Sequence, residues 1–182
     1  MSYLLVFCRC LLALVFLASA ASKLRGPTAF RAFADSLRMM RLLPERVVVP
    51  VAAAVAVTEA VVPVLLVPLP IAAVTTAAFT VAAALLATFT VAVAAVLDRG
   101  TPASCRCFGG TAASFGRHHL ARNVVLSVFA GIGAYASLGD PAVTTRTVVL
   151  AAPLGAVATL IVIRLDDLAA LFAPLTPPRG FG

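Results

Sequence analysis

Residues 71–97, IAAVTTAAFTVAAALLATFTVAVAAVL, form a long hydrophobic stretch. They contain no charged side chain, no glycine and no proline. About 20 apolar residues in an α-helix are enough to cross a hydrocarbon core of about 30 Å. We therefore predict a membrane-spanning helix here.

The composition of the whole chain is that of a membrane protein. Of its 182 residues, 62% are hydrophobic and 12% are charged, and the mean hydropathy is +1.09, whereas a soluble domain is about one quarter charged. The net charge of +7 comes from basic residues that lie between apolar runs and form no patch interleaved with aromatic residues. We therefore predict the lipid bilayer as a partner, including anionic lipids at the cytoplasmic surface, and no nucleic acid.

Four further apolar runs flank this stretch, and the fold class we predict is all-α, a polytopic membrane helix bundle with a four-helix core and a fifth span. The bundle covers residues 1–173, and the Pro- and Gly-rich residues 174–182 form a flexible tail. An amphipathic stretch and a polar, cysteine-containing loop separate the spans. The predicted spans are residues 3–22, 47–67, 71–97, 120–138 and 148–163, the interfacial helix is 28–42, and the loop is 98–119.

The first span has an alternative interpretation as a cleaved signal peptide, because Ala18-Ser19-Ala20 resembles a cleavage site. Signal peptides normally begin with a basic segment, and here no basic residue precedes Arg9. We therefore interpret residues 3–22 as a retained span.

The distribution of Lys and Arg predicts the orientation, since cytoplasmic loops carry an excess of both. With the N-terminus outside and five spans, the first connection (residues 23–46) and the loop 98–119 face the cytoplasm and receive most of the basic residues. Arg146 is the one clearly outside, and Arg9 is within the membrane. We predict a bacterial cell membrane protein with this orientation.

The loop carries Cys105-Arg106-Cys107, the first site candidate. Thiolate is the reactive form of cysteine, and a neighbouring arginine lowers the pKa of a thiol. A disulfide between residues i and i+2 closes a small, strained ring, which favours easy reduction. The pair could instead bind zinc with His118 and His119, although structural zinc sites usually have other spacings, or be inert. We interpret it as a redox-active pair and predict no metal site.

The first span contains a second pair, Cys8 and Cys10. Residues two apart on a helix point about 200° away from each other, so these thiols cannot bond without unwinding the helix. Buried, inert cysteines are the simpler interpretation, with a role as secondary thiols as the alternative.

Arg9 and Glu59 are charged residues within apolar spans, where a charge is expensive and marks either a functional site or a bond between helices. The first two spans run antiparallel, so Tyr3 at the start of the first and Val67 at the end of the second are taken to lie at the same membrane face. Arg9 then lies roughly 9 Å and Glu59 roughly 12 Å below that face. We therefore predict that Arg9 pairs with Glu59 inside the bundle. The fourth span should pack closely through small residues four apart, namely Ser127 with Gly131 and Ala130 with Ala134.

Several of these segments together resemble the MauE/DoxX-like family of membrane proteins over roughly residues 10–140. The resemblance rests on FLASAASKLR at residues 16–25, Leu42-Leu43-Pro44, Glu59, the Cys-x-Cys-Phe-Gly of residues 105–109 and Arg122-Asn123. It implies thiol–disulfide chemistry with a thioredoxin-like partner, since the founding members assist maturation of methylamine dehydrogenase, a disulfide-rich periplasmic enzyme. That chemistry lies outside the membrane, whereas the charges place Cys105 and Cys107 inside. Either the topology rule fails here or the pair passes electrons outward from a cytoplasmic donor.

Three functions remain open from the sequence. The first is a redox helper for a thioredoxin-fold protein, in which Cys105 and Cys107 exchange electrons, Arg106 favours the thiolate, and Glu59 with Arg9 organises the core. The second is a small transporter or channel-like bundle in which Glu59 and the Thr-rich third span line a path. The third is a structural subunit with idle cysteines. No cofactor, hydrolytic site or transferase site is identified from the residues.

Overall fold

The computed structural model describes residues 1–67, 71–99, 104–105, 113–114, 117–139 and 142–171. Six α-helices and one short antiparallel strand pair lie within them. The helices are α1 (Ser2–Leu24), α2 (Pro27–Met39), α3 (Glu45–Leu65), α4 (Ala72–Asp98), α5 (Arg117–Leu138) and α6 (Thr145–Leu171), and the strands are β1 (Ser104–Cys105) and β2 (Ala113–Ser114). The tail predicted for residues 174–182 lies outside the described residues.

Five of these helices are long and apolar enough to cross a membrane, with mean hydropathies from 1.3 to 2.4 in their most apolar windows. An α-helix pairs most of its backbone polar groups internally, which suits a spanning segment because lipid offers no hydrogen-bond partner. The predicted fold class, an all-α polytopic bundle, is confirmed, and the shorter apolar run near the C-terminus is part of the fifth long helix, α6.

Helix α1 lies at the centre of the bundle, in contact with α2, α3, α5 and α6, while α4 packs mainly on α5. The core is built from fully buried side chains of α1, α3, α4 and α5, among them Leu12, Val62, Phe79 and Leu126. On the outer surface, apolar side chains such as Val57 are exposed. Such a surface suits lipid rather than water.

Helices α1 and α3 are staggered. Lys23, one residue before the end of α1, contacts Glu59, which lies fourteen residues after the start of α3, or about 21 Å along its axis. Helix α3 therefore continues well beyond the point where α1 ends, and α2 occupies that space.

Helix α2 is amphipathic, and its apolar face packs on the first half of α3 and the end of α4. This second core cluster comprises Phe33, Ala34, Leu37, Met40, Val48, Ala52 and Val96. The segment predicted as an interfacial helix is thus a helix of thirteen residues. It packs on the part of α3 that extends past the end of α1.

Glycines allow two close approaches. A Cβ at Gly155 of α6 would lie 2.8 Å from Cys10 Cβ and 3.0 Å from the Phe7 carbonyl oxygen, so α6 touches the backbone of α1 there. A Cβ at Gly133 of α5 would overlap the Phe79 ring of α4. Gly131 has no atom near its Cβ position, so the predicted close approach through Gly131 is wrong, because the contact face of α5 runs through Ala130 and Gly133 instead.

Candidate functional site

The main polar cluster within the described core joins α1 to α3. Lys23 Nζ donates to Glu59 Oε1 at 2.9 Å and to Oε2 at 2.6 Å, and also to Ser19 Oγ at 2.7 Å. The side chains of Lys23 and Glu59 are only 1% and 4% exposed. Nζ also lies 4.7 Å from the centre of the Phe33 ring of α2, a distance typical of a cation–π contact. All three donors of the ammonium therefore have acceptors, and the two charges compensate each other away from solvent.

The sequence reasoning missed Lys23. We predicted that the first span ends at residue 22 and that Lys23 belongs to the polar connection, whereas α1 continues to Leu24 and Lys23 is buried. A signal was present, because Ser19 and Lys23 are four residues apart and hence on one helix face. A lysine at the end of an apolar run usually reaches toward the membrane surface, whereas the Lys23 side chain is turned into the core.

Arg9 does not meet Glu59. Its Nη2 donates to Thr75 Oγ1 of α4 at 2.8 Å, whereas Glu59 forms an ion pair with Lys23. The predicted Arg9–Glu59 pair is therefore wrong. The depth calculation assumed that α1 and α3 are flush at one face, and the stagger of the two helices invalidates it.

The two cysteines of α1 differ in environment. Cys8 is fully buried in the core and Cys10 is half-buried, and both thiols are free. Helix α1 is continuous through both residues, so they point in different directions, as the helical period requires. The helix therefore keeps the two thiols apart, which is the geometry on which the prediction of inert cysteines was based.

The loop cysteine pair is described only in part. The backbone of Ser104–Cys105 pairs antiparallel with that of Ala113–Ser114, and β1 contacts α2. The strand pair thus lies at the end of the bundle where α1 ends and α3 begins. Arg106 and Cys107 lie outside the described residues. Within the described part of the chain, no three His, Cys, Asp or Glu side chains cluster in a way that could hold a metal ion.

The threonines of α4 do not point toward Glu59. Thr75 is buried against Arg9, and Thr76 shares a hydrogen bond of 2.7 Å with Ser137 of α5. Thr80 and Thr88 are exposed, and their hydroxyls donate to the carbonyl oxygens one turn earlier. The described residues therefore do not join Glu59 and these threonines into one polar path.

Five apolar helices around a buried ion pair, with a cysteine-bearing connection at one end, define a multi-pass helical membrane protein. The family model described as "Methylamine utilisation protein MauE" matches residues 1–136, about three quarters of the chain. The chain belongs to the MauE family, which confirms the resemblance drawn from its motifs. No curated protein and no solved structure matches the chain.

Proposed function

We propose that this protein assists thiol–disulfide redox chemistry, or the maturation of a partner protein, together with a thioredoxin-like protein. The observation that carries the proposal is that the MauE match over residues 1–136 runs through both Cys-x-Cys segments. Cys105 and Cys107 are the proposed exchanging pair. Cys8 and Cys10 are less suited to exchange, since one is fully buried and both are within a continuous helix.

The exchange needs no cofactor. The Cys105 and Cys107 thiols give two electrons and two protons to a disulfide of the partner, which becomes two thiols while Cys105 and Cys107 become a disulfide; the reverse direction balances in the same way. The reaction passes through a mixed disulfide, and its rate depends on the thiolate fraction of the attacking cysteine. Arg106, between the two thiols, favours thiolate.

The position of the strand pair supports access by a partner. Cys105 follows the end of α4 by a few residues and lies next to α2, beyond the buried core of the bundle. Exposed basic side chains are concentrated at this end, on Arg25, Arg31, Arg41, Arg46 and Arg99. By the positive-inside rule we propose that this end faces the cytoplasm of a bacterial cell, with the N-terminus outside.

The ion pair has a structural role in this proposal. Lys23 and Glu59 fix α1 against α3, and the contact of Phe33 with Lys23 joins α2 to the end of α1. Because β1 contacts α2, the pair supports the surface beside the cysteine loop without taking part in the exchange.

Mixed-disulfide trapping tests the proposal. Cys105→Ser and Cys107→Ser are expressed separately, and one of them should accumulate a disulfide-linked adduct with a thioredoxin-fold protein, because removal of the resolving thiol stalls the exchange. The matched control is Cys10→Ser, which removes a partly accessible thiol from the membrane domain and leaves both loop cysteines in place. It should accumulate no more adduct than the wild type. Mass spectrometry identifies the adduct and the cysteine that forms it.

The oxidation state of the wild-type pair gives a second readout. Purified protein should contain a Cys105–Cys107 disulfide, or a mixed disulfide through one of them, that responds to mild reductant. If both thiols stay free under oxidising conditions and no adduct forms with either serine variant, the redox proposal is wrong and a structural role is favoured.

A further inference from the structure

The two Cys-x-Cys segments lie at opposite ends of the bundle. Arg9, between the two cysteines of α1, donates to Thr75 near the start of α4. Strand β1, which carries Cys105, begins six residues after α4 ends at Asp98. Thr75 and Asp98 are 23 residues apart on one helix, which is about 35 Å at 1.5 Å per residue. The length of α4 therefore separates the level of the first pair from the start of the loop.

The position of α2 shows on which side of the end of α1 the strand β1 lies. Strand β1 contacts α2, and α2 packs on Val48 and Ala52 of α3. Both residues precede Glu59, which marks the level at which α1 ends. Helix α2 and β1 therefore lie beyond the end of α1 and not beside its first half. From Cys10 to Lys23 alone, α1 rises by about 20 Å.

This separation puts direct exchange between the two cysteine pairs out of reach. Cysteines that form a disulfide have Cα atoms within about 7 Å of each other, and the two residues from Cys105 to Cys107 extend the chain by at most about 7 Å. The sequence between Cys10 and Cys105 contains no further cysteine that could bridge the gap. A second copy in the same orientation carries its thiols at the same depths, so an oligomer does not shorten the distance.

Helix α1 is also held against movement along its axis. Lys23 is bound to Glu59 of α3, and Arg9 is bound to Thr75 of α4. At Gly155 the backbone of α6 touches that of α1. A slide that brought the thiols of α1 toward the loop would break all of these contacts, including a buried ion pair whose loss is strongly destabilising.

Given the redox function proposed above, on which this inference rests, we propose that electrons enter and leave the Cys105–Cys107 pair at the same face of the membrane. A dithiol of one partner reduces the Cys105–Cys107 disulfide and becomes a disulfide itself. The two loop thiols then give the two electrons and two protons to a disulfide of a second partner on that face. The reaction that regenerates the pair is thus itself a thiol–disulfide exchange at the loop. Cys8 and Cys10 are not on the electron path, and the chain's own thiols offer no outward route from a cytoplasmic donor.

Sealed vesicles distinguish one-sided exchange from transfer across the membrane. The oxidised full chain is reconstituted into vesicles filled with dithiobis(nitrobenzoate), a charged disulfide that does not cross the bilayer, and tris(carboxyethyl)phosphine is added outside as an impermeant reductant. Alkylation and mass spectrometry should show reduced Cys105 and Cys107 in the fraction whose loop faces outward. The luminal disulfide should react at most once with each luminal thiol. Repeated turnover of the luminal disulfide, above that in vesicles without protein, would overturn the proposal.

Replacement of the two thiols of α1 gives a test in intact cells. Cells are treated briefly with the thiol oxidant diamide, and the return of reduced Cys105 and Cys107 is followed by alkylation and mass spectrometry. The double variant Cys8→Ala with Cys10→Ala should recover at the wild-type rate, because neither thiol is on the path. Cys105→Ser is the control, since it forms no loop disulfide and gives the baseline of the assay.

The outcomes separate this inference from the function on which it rests. A loop disulfide that persists in the double variant would overturn one-sided exchange and leave the redox function standing. If neither the phosphine nor the cell reduces a Cys105–Cys107 disulfide, the redox function itself is wrong, and one-sided exchange is wrong with it. If the double variant does not fold, the vesicle experiment on the wild-type chain decides.

Discussion

Lys23 at the end of α1 and Glu59 in the second half of α3 form a buried ion pair, with the ammonium within 2.9 Å of both carboxylate oxygens. Ser19 accepts the third ammonium hydrogen and Phe33 covers the charge from α2. One lysine thus connects the first three helices. The partners of a buried pair depend strongly on each other, because each compensates a charge that the core would otherwise not tolerate.

Removal of one partner should therefore destabilise the bundle more than removal of both. Lys23→Met leaves the Glu59 carboxylate buried without compensation, for which we expect a loss of about 3–5 kcal/mol in the free energy of unfolding. The double variant Lys23→Met with Glu59→Gln should recover part of this loss. Thermal unfolding in detergent measures both, and Arg25→Met, an exposed neighbour, is the control. A double variant as unstable as the sum of the two single variants would show that the two charges do not interact.

Arg9 and Glu59 should behave independently. They share no partner in the structure, since Arg9 contacts Thr75 and Glu59 contacts Lys23. The effects of Arg9→Ala and Glu59→Ala on stability should therefore add within about 0.5 kcal/mol. Arg9→Ala with Thr75→Val should instead show a coupling energy, which a double-mutant cycle measures. A large coupling between Arg9 and Glu59 would contradict the pairing seen in the structure.

The contact of α6 with α1 should depend on one glycine. In Gly155→Ala the new methyl group meets the Phe7 carbonyl oxygen and Leu11 nitrogen at 3.0 and 3.2 Å, which are backbone atoms, so α6 must shift as a whole. We expect a loss of about 1–3 kcal/mol in the free energy of unfolding, as for other overpacked cores.

Gly131→Ala is the matched control for this glycine. Its Cβ position is open, and alanine is the better helix former by about 1 kcal/mol. The variant should be as stable as the wild type or more so when the two are compared by thermal unfolding. If both alanine variants have the same stability, the close approach at Gly155 does not contribute.

Cysteine labelling in intact cells should report the orientation. An impermeant thiol reagent should leave Cys105 and Cys107 unlabelled if basic residues mark the cytoplasmic end. Ala142→Cys, an exposed position in the connection before α6, supplies a thiol at the opposite end and should label readily. The reverse pattern would overturn the proposed orientation and place the loop cysteines outside.

The class of fold could be predicted from the sequence because a membrane span needs only a sufficiently long apolar run, and runs such as residues 71–97 are unmistakable. The pairing of charges could not. It depends on how far each helix is displaced along its neighbour, and sequence gives the length of a helix but not its axial position. Residue spacing alone therefore favoured Arg9 as the partner of Glu59, although the actual partner is Lys23, which follows the predicted first span directly.

The contact face of α5 was uncertain for a related reason. Small residues four apart occur at Gly131 as well as near Gly133, and spacing does not tell which of them meets another helix. In the structure the answer comes from the Phe79 ring, which lies against Gly133. The contact face of α5 thus depends on Phe79, which belongs to α4. The sequence of α5 alone therefore cannot predict it.

The stagger of α1 and α3 also has a consequence for the order of biosynthesis. Lys23 leaves the ribosome 36 residues before Glu59, so α1 enters the membrane while its lysine still lacks a counter-charge. Until α3 emerges, the ammonium has to stay at the hydrated membrane surface, because an uncompensated charge is expensive in lipid. The buried position of Lys23 is therefore compatible with the membrane only after Glu59 has been inserted beside it.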